Sequence, residues 1–423
     1  MDSMVHVGRL VPDDPRVSIV VLVLDDVDMV EDCLESLRRT IDSSWRAELV
    51  VVANGTPLTR LQGLQRHQDI VLIRSDTNLG FAGGNNLAAG VARGDLLVFL
   101  NDDTMVEPDW LDHLVLTAEA DPRIGAVGSR ILFEDGSLQE AGGIIWGDGP
   151  TTGMGRGLPA GSAEFMYVRD VDYVSANGIL VRRRAWEEVG GFSEDYFPAY
   201  YEDADLCMAL GQSGYRVVYE PRAALRHLES RSVPGRYRWF LMLRNRRIFR
   251  KKWADQLVGR EPYPVVDGHA ARERALHRIR GRPSRVLFLD DALPDAGLGS
   301  GFARAAGAVE DLVAAGYAVT FRPRNSVLGD RRHTTARAGV LDWLADLGVD
   351  VRFEPLGSLL QRPGAEFDVV LCSRPLSYRD AVPHLRRHHP QVPVVYDTEA
   401  LWFRRTEREA ALVEDADQAA ELR

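Results

Sequence analysis

The sequence predicts an α/β protein with two domains in succession. Apolar runs of strand length alternate with stretches of helical period. That alternation gives a parallel sheet covered on both faces. The pattern stops in a polar, Arg-rich stretch carrying Pro262, Pro264 and Pro283, and a new α/β pattern starts at Arg285. At 423 residues the chain is long enough for two cores. The expected partition is 1–259, a linker at 260–284, and 285–423.

In the first domain Val17–Leu24 reads as a buried strand. A helix from Met29 to Thr40 follows, with Val30, Cys33, Leu34 and Leu37 at helical spacing. Strands are expected at Glu48–Ala53 and Ile70–Arg74. The segment Asn78-Leu79-Gly80-Phe81-Ala82-Gly83-Gly84-Asn85-Asn86 then leads into a helix over Leu87–Arg93. Glycines let backbone approach a ligand, and a helix N-terminus favours an anion. A tight strand-to-helix turn would use the same residues. Leu96–Leu100 reads as a buried strand ending in Asn101-Asp102-Asp103-Thr104. Residues 134–170 are Gly-rich and weakly periodic, as functional or mobile segments often are. Val171–Val181, a helix around Arg184–Val189, and the cluster Tyr200-Tyr201-Glu202-Asp203-Ala204-Asp205 come next.

Composition narrows the function. A formal net charge of -11 argues against a general nucleic-acid binder. Three well-separated cysteines, Cys33, Cys207 and Cys372, match no metal spacing and fit a reducing cytoplasm. Residues 1–16 hold acids and prolines with no apolar core, unlike a secretory leader. No run approaches the ~20 apolar residues of a membrane span. Any membrane contact is expected from the surface, at the inner face of the plasma membrane.

Three groups carry chemistry. Asp102 and Asp103 sit at the C-terminal end of a strand, the edge where open α/β sheets bind ligands. Adjacent carboxylates there suit a hard divalent cation, or a solvated turn with a helix N-cap. Glu202 and Asp203 follow Phe197, Tyr200 and Tyr201, apolar surroundings that tune a carboxylate toward general-base work. Helix capping is the plainer use, above all for Asp205. His227, after the strand-like Arg216–Tyr219, can complete a cation site begun by Asp103 or serve structure alone.

Together these segments closely resemble glycosyltransferase family 2, inverting enzymes of GT-A fold, and within it rhamnosyltransferase-type enzymes. The resemblance covers residues 16–252. It rests on Ser18-Ile19-Val20-Val21, the Asn78–Asn86 segment, Leu100–Thr104, Val174-Ser175-Ala176-Asn177-Gly178, Gly190-Gly191-Phe192, Tyr201–Leu206 and His227. It implies a nucleotide-diphosphate sugar donor (dTDP-, UDP- or GDP-linked) and a cell-surface polysaccharide or lipid-linked glycan acceptor. It implies Mg2+ or Mn2+ on Asp103, with Asp102 and His227. Asp203 is the implied base, with Glu202 second. Donor binding is implied for Asn54, Asp76, Asn78, Gly80, Gly83, Asn85, Asn86 and Asp102. Acceptor contact is implied for Trp146, Asn177, Gly178 and Tyr201, with Trp146 in a lid. One position departs from the family: Ala53 stands where the second strand usually ends in Asp, leaving base recognition to Asn54, Asp25 or backbone groups. That departure supports an alternative, a GT-A-fold glycan- or partner-binding protein with weak or no turnover.

Two further features stand apart. Residues 236–253 hold eight cationic residues and no acid, interleaved with Tyr237, Trp239, Phe240, Phe249 and Trp253. Such a helix can lie on anionic lipid, or pack its aromatics on the domain. Residues 285–423 resemble the Rossmann-like N-terminal half of a GT-B, family 4-type enzyme. The resemblance rests on Val286–Asp291, Gly299-Ser300-Gly301 and Val394–Glu399, and no transfer is expected from that half alone.

Overall fold

The computed structural model describes residues 4–23, 27–61, 63–228, 235–264, 271, 274–275, 279, 284–298, 300–324, 334–362 and 366–397. Asp25, Gly299, Thr398 and Glu399, singled out above, lie outside the described residues. The chain divides into two compact units, Met1–Ile279 and Arg280–Arg423. The division falls inside the stretch expected as linker. Ala271 and Ala275 are buried in the first unit's core.

The first unit is organised by a mixed sheet. Its strands are β1 (Met4–Val7), β2 (Val17–Val23), β3 (Ala47–Asn54), β4 (Ile70–Ser75), β5 (Leu96–Asn101), β6 (Thr104–Val106), β7 (Ile124–Leu132) and β8 (Leu138–Glu140). The short pair β9 (Gly143–Ile145) and β10 (Thr151–Gly153) stands apart from it, and β11 (Arg169–Asp170), β12 (Gly178–Arg182) and β13 (Arg216–His227) complete the set. The main order is β1-β4-β3-β2-β5-β12-β7-β13-β11. β4, β3, β2 and β5 run parallel, as the strand–helix alternation requires. β12 runs antiparallel to both β5 and β7, because the chain returns to it from the far side of a long loop. The wholly parallel sheet expected from sequence is therefore a mixed one.

The helices longer than one turn are α1 (Val27–Thr40), α2 (Gly80–Val91), α3 (Trp110–Ala120), α4 (Arg183–Val189), α5 (Glu202–Gln212) and α6 (Gly235–Lys252). Every residue of β2 is buried, since both faces are covered. Val17, Ile19, Val21 and Val23 pack with α1 and α3, while Val20 and Leu22 pack with α2 on the other face. Each such side chain contributes roughly 1.5–3 kcal/mol on leaving water.

The Gly-rich segment differs from its expected form. It is the helix itself, α2 beginning at Gly80, and not a loop before one. Gly80 has φ +72, and a Cβ there would meet Phe197 Cδ2 and Pro198 O at 2.8 Å. Only glycine accepts that backbone so close to a neighbouring loop.

Residues 134–170 also differ from expectation. Despite weak periodicity, Leu138, Ala141, Ile144, Ile145, Trp146, Met154, Phe165 and Tyr167 are all buried. The segment is core built from very short strands.

The second unit carries five parallel strands: β14 (Arg285–Asp290), β15 (Ala318–Pro323), β16 (Asp350–Val351), β17 (Val369–Cys372) and β18 (Val394–Tyr396). The order β16-β15-β14-β17-β18 is that of a doubly wound sheet. Leu287 and Leu289 face one core cluster and Phe288 the other, so both faces are covered.

Candidate active site

One short loop, Ser175–Asn177, runs past Glu140, Asp203 and His227 in turn. It precedes β12, whose first residue, Gly178, pairs with Leu100 near the end of β5. The Ser175 amide donates to Glu140 Oε1 at 3.2 Å. The Ala176 amide lies near enough to the Asp203 carboxylate to favour its charged form. Asn177 Oδ1 accepts from Asn101 Nδ2 at 2.8 Å, and Asn177 Nδ2 lies 3.4 Å from His227 Nδ1. Gly178 holds the loop against the sheet, because a Cβ there would meet Leu225 Cδ2 at 2.2 Å.

The first group the loop touches is a His–carboxylate pair. His227, the last residue of β13, is paired in register with Thr104 of β6, which puts it beside the Asp102–Asp103 turn. His227 Nε2 stands 3.1 Å from Asp103 Oδ1, with both side chains buried. Its Nδ1 faces the Gln139 amide, 2.9 Å from Nε2 and 3.1 Å from Oε1. An imidazole fixed on one nitrogen by an outer partner is oriented to use the other. Asp102 does not join them: among the described residues no three His, Cys, Asp or Glu side chains gather where they could hold a metal. The three-ligand set implied by the resemblance is thus reduced to Asp103 and His227.

The second group is three carboxylates. Glu202 and Asp203 open α5, and Glu140 arrives from β8. Burial, and then the charge of Asp203, push Glu140 up to about 8. The same two causes raise Glu202, whose Oε2 is buried without a hydrogen-bond partner among the described residues. Burial raises Asp203 as well, but the amides of Ala204 (2.8 Å to Oδ1) and Ala176 oppose it. Like charges this close do not all ionise. The amides favour charge on Asp203, while burial and the Asp203 charge favour the protonated forms of Glu140 and Glu202.

Glu140 was not among the residues singled out from sequence. Its only signal is a polar pair, Gln139-Glu140, set between Leu138 and Ala141 in a strand too short to show a period. A carboxyl whose folded pKa is raised binds more protons folded than unfolded between its ordinary value of 4.5 and about 8. Its contribution to stability is full below 4.5 and is lost as pH rises through 8. Glu140→Gln should therefore lose less stability than wild type between pH 5 and pH 8, as read by urea denaturation at the two values.

A strained turn aims the cluster. Tyr200 and Tyr201 have φ of 81 and 83, a backbone region that costs side-chain-bearing residues about 1–3 kcal/mol each. α6 holds the turn in place. Asn245 Nδ2, fully buried, donates toward the carbonyls of Tyr196 (3.2 Å), Ala199 (2.9 Å) and Tyr200 (2.8 Å), and Arg244 donates to Phe197 O.

Other residues named from sequence have internal uses. Asn54 is buried and donates to Gly80 O at 3.0 Å while accepting from the Leu79 amide at 2.8 Å, so its polar atoms fasten β3 to α2. Asn78 Oδ1 accepts from the Gly80 amide, Asn85 donates to Phe81 O, and Asn86 bonds both backbone groups of Phe192. Gly83 lies against Leu79 Cβ. Asp76 is exposed and paired with Arg74. Trp146 is 3% exposed with its Nε1 donating to Thr152 Oγ1 at 2.8 Å, so it is core and not a lid surface. Tyr201 is buried too, its hydroxyl donating to Gly149 O at 3.1 Å. Asp205 is tertiary in its use and not a simple cap, since it accepts from Tyr196, Lys252 and Trp253.

The family model described as Glycosyl transferase family 2 matches residues 18–169. The O-antigen biosynthesis protein RfbC of Myxococcus xanthus is 33% identical over 228 residues, 52% of this chain and 18% of that protein. The N-acetylglucosaminyl-diphospho-decaprenol L-rhamnosyltransferase of Mycobacterium tuberculosis (strain ATCC 25618 / H37Rv) is 31% identical over 206 residues, 43% of this chain and 64% of that protein. The chain spans less than two thirds of the length of these relatives. Among solved structures, GalNAc-T7 with UDP, GalNAc and Mn2+ aligns at TM-score 0.47 and 15% identity, covering 62% of this chain and 51% of that one. The matched segment holds β2 through β11, with the Asp102–Asp103 turn and Glu140 inside it. Residues 18–169 therefore form a glycosyl transferase family 2 domain within a mixed α/β, GT-A-like unit.

Proposed function

We propose that the first unit is an inverting, metal-dependent glycosyltransferase. It moves a hexosyl or rhamnosyl group from a nucleotide-diphosphate donor to a hydroxyl of a lipid-linked glycan or cell-surface polysaccharide. The observation that carries this reading is the loop Ser175–Asn177. Its Ala176 amide lies beside the half-buried Asp203 carboxylate, and its Asn177 Nδ2 lies beside His227 of the Asp103–His227 pair.

In this reaction the acceptor oxygen forms a bond to the anomeric carbon as the bond from that carbon to the diphosphate oxygen breaks. Asp203 takes the hydroxyl proton, and the nucleotide diphosphate leaves with the electrons of the broken bond. A single displacement inverts the centre and needs no enzyme nucleophile. Asp203 suits the role because burial raises its basicity while nearby amides favour its charged form. Glu202, protonated beside it, is placed to donate a hydrogen bond to acceptor or donor.

Asp103 and His227 fit Mg2+ or Mn2+ as a small protein donor set, since such ions take one or two side chains and fill the rest with phosphate and water. Gln139 orients the imidazole toward that use. When bound, the ion offsets negative charge on the leaving diphosphate. The decaprenol-linked substrate of the mycobacterial rhamnosyltransferase relative supports a lipid-linked acceptor, and with it work at the inner face of the plasma membrane. The second unit, with its doubly wound order, is proposed as the N-terminal half of a GT-B-like fold that does not transfer sugar alone.

Ala53 favours a second reading, a GT-A-fold binding protein without turnover. The test is calorimetry and turnover on a panel of dTDP-, UDP- and GDP-sugars with Mn2+. Release of nucleotide diphosphate in the presence of a lipid-linked acceptor is expected. Donor binding without release for every sugar would select the second reading.

A further inference from the structure

We propose that the amino-terminal half of α6 is a docking surface for an anionic lipid bilayer. The helix has two opposite faces. Leu241, Asn245 and Phe249, four residues apart, have no exposure and anchor it to the unit. The other face reads Arg236, Trp239, Phe240, Leu243, Arg247, Arg250, and every one of these is exposed. Trp239 is 69% exposed, Phe240 58%, Leu243 49% and the neighbouring Tyr237 48%. Tyr237 and Phe240 stack on each other at 6.3 Å and leave their outer faces to solvent.

A helix surface facing only water does not place Trp, Phe and Leu side by side. Charge complementarity selects the occupant. The chain carries a formal net charge of -11, yet this helix has eight cationic residues and no acid. The arginines bracket the aromatic patch at both ends of its face. That is the pattern of an interfacial helix, whose rings enter the headgroup layer while arginine stems reach sideways to lipid phosphates. No helix among the described residues is long and apolar enough to cross a membrane, so the contact is peripheral. The buried face of the same helix holds the Tyr200–Tyr201 turn through Arg244 and Asn245, and Arg238 lies over the Tyr200 ring at 5.6 Å. If the transferase reading holds, docking would bring a membrane-held acceptor to the unit through the helix that holds the turn before Asp203.

The full chain is sedimented with phosphatidylglycerol-containing vesicles and with pure phosphatidylcholine vesicles. Binding to the anionic vesicles is expected, weakening steeply as salt rises. Trp239→Ser with Phe240→Ser should lower the partition roughly tenfold or more, and Arg247→Gln with Arg250→Gln should flatten its salt dependence. Trp239→Phe should keep binding but lose part of the tryptophan quenching by brominated lipid, which shows that this ring enters the bilayer. Absence of wild-type binding to anionic vesicles overturns the proposal. So does binding that the Trp239/Phe240 variant leaves unchanged, or a chain dimer or acidic-protein complex that this variant dissolves while no vesicle is bound. Turnover on a water-soluble acceptor should be the same in the Trp239/Phe240 variant, so failure of docking and failure of the transferase reading are read separately.

Discussion

Asp203→Asn should reduce sugar transfer by about 10³-fold while leaving the first unit as stable as wild type or more so. The fall belongs in kcat, because the substituted group acts on a proton that moves only during transfer. The fold should tolerate the change for a specific reason. Asn Oδ1 still accepts the Ala204 amide that lies 2.8 Å from Asp203 Oδ1. The substitution also removes the charge that raises both Glu140 and Glu202. With that repulsion gone, the two remaining carboxyls ionise at lower pH, and the loss of stability on the alkaline side becomes shallower. Rate measurements at saturating donor, together with urea denaturation at pH 6 and pH 8, check both halves. Glu202→Gln is the control: it keeps a hydrogen-bonding group without the proton-accepting role and should cost much less. If Glu202→Gln is the more damaging of the two, the base has been assigned to the wrong member of the cluster.

The parallel half of the sheet was legible because its strands are buried on both faces. Ile19–Val23 is an unbroken apolar run, and an unbroken run needs no phase to be recognised. The antiparallel return of β12 was not, since direction is set by where the preceding loop ends and not by the strand's own residues. β8 to β11 were missed for a related reason. Strands of two or three residues punctuated by glycine show no period, although β9 is as fully buried as β2 and β8 nearly so.

The site was legible in part, and along a clear line. Residue types that carry charge, such as Asp103, Glu202, Asp203 and His227, stand out in an apolar context and are drawn together by the structure. Polar amides mislead. Asn54, Asn78, Asn85 and Asn86 look like ligand contacts in a string of letters, but an amide serves backbone equally well, and these bond the neighbouring turns. Trp146 and Tyr201 mislead in the same way, since a polar tip on a large ring allows complete burial once one internal acceptor is found. Glu140 was hidden because nothing local marks it. Its meaning comes only from Ser175 and Asp203, residues dozens of positions away.

Asp205→Ala should destabilise the first unit by about 3 kcal/mol, the largest stability loss expected of a single substitution near the site. Asp205 lies two residues beyond Asp203 on α5 and is 2% exposed. Three donors converge on it: Tyr196 Oη at 2.8 Å, Trp253 Nε1 at 2.7 Å and Lys252 Nζ at 2.6 Å. Two of them come from the end of α6 or just past it, and the third from the segment leading into the Tyr200–Tyr201 turn. Removing the carboxylate strands two buried donors and one cation. The cation's share is the smaller, because the Lys252 side chain is 39% exposed and water screens it. Asp205→Asn keeps one acceptor for Tyr196 and Trp253 but turns an amide toward the ammonium, so it should cost about half as much. Tryptophan emission during urea unfolding reads the change, since six of the eight tryptophans lie in the first unit. Activity gives the sharper test. Both variants loosen the attachment of α6 to α5, and with it the strain held at Tyr200 and Tyr201. Turnover should therefore fall under conditions where the unit is still fully folded. A variant that loses stability but keeps full turnover would show that α6 supports the fold without aiming the carboxylates.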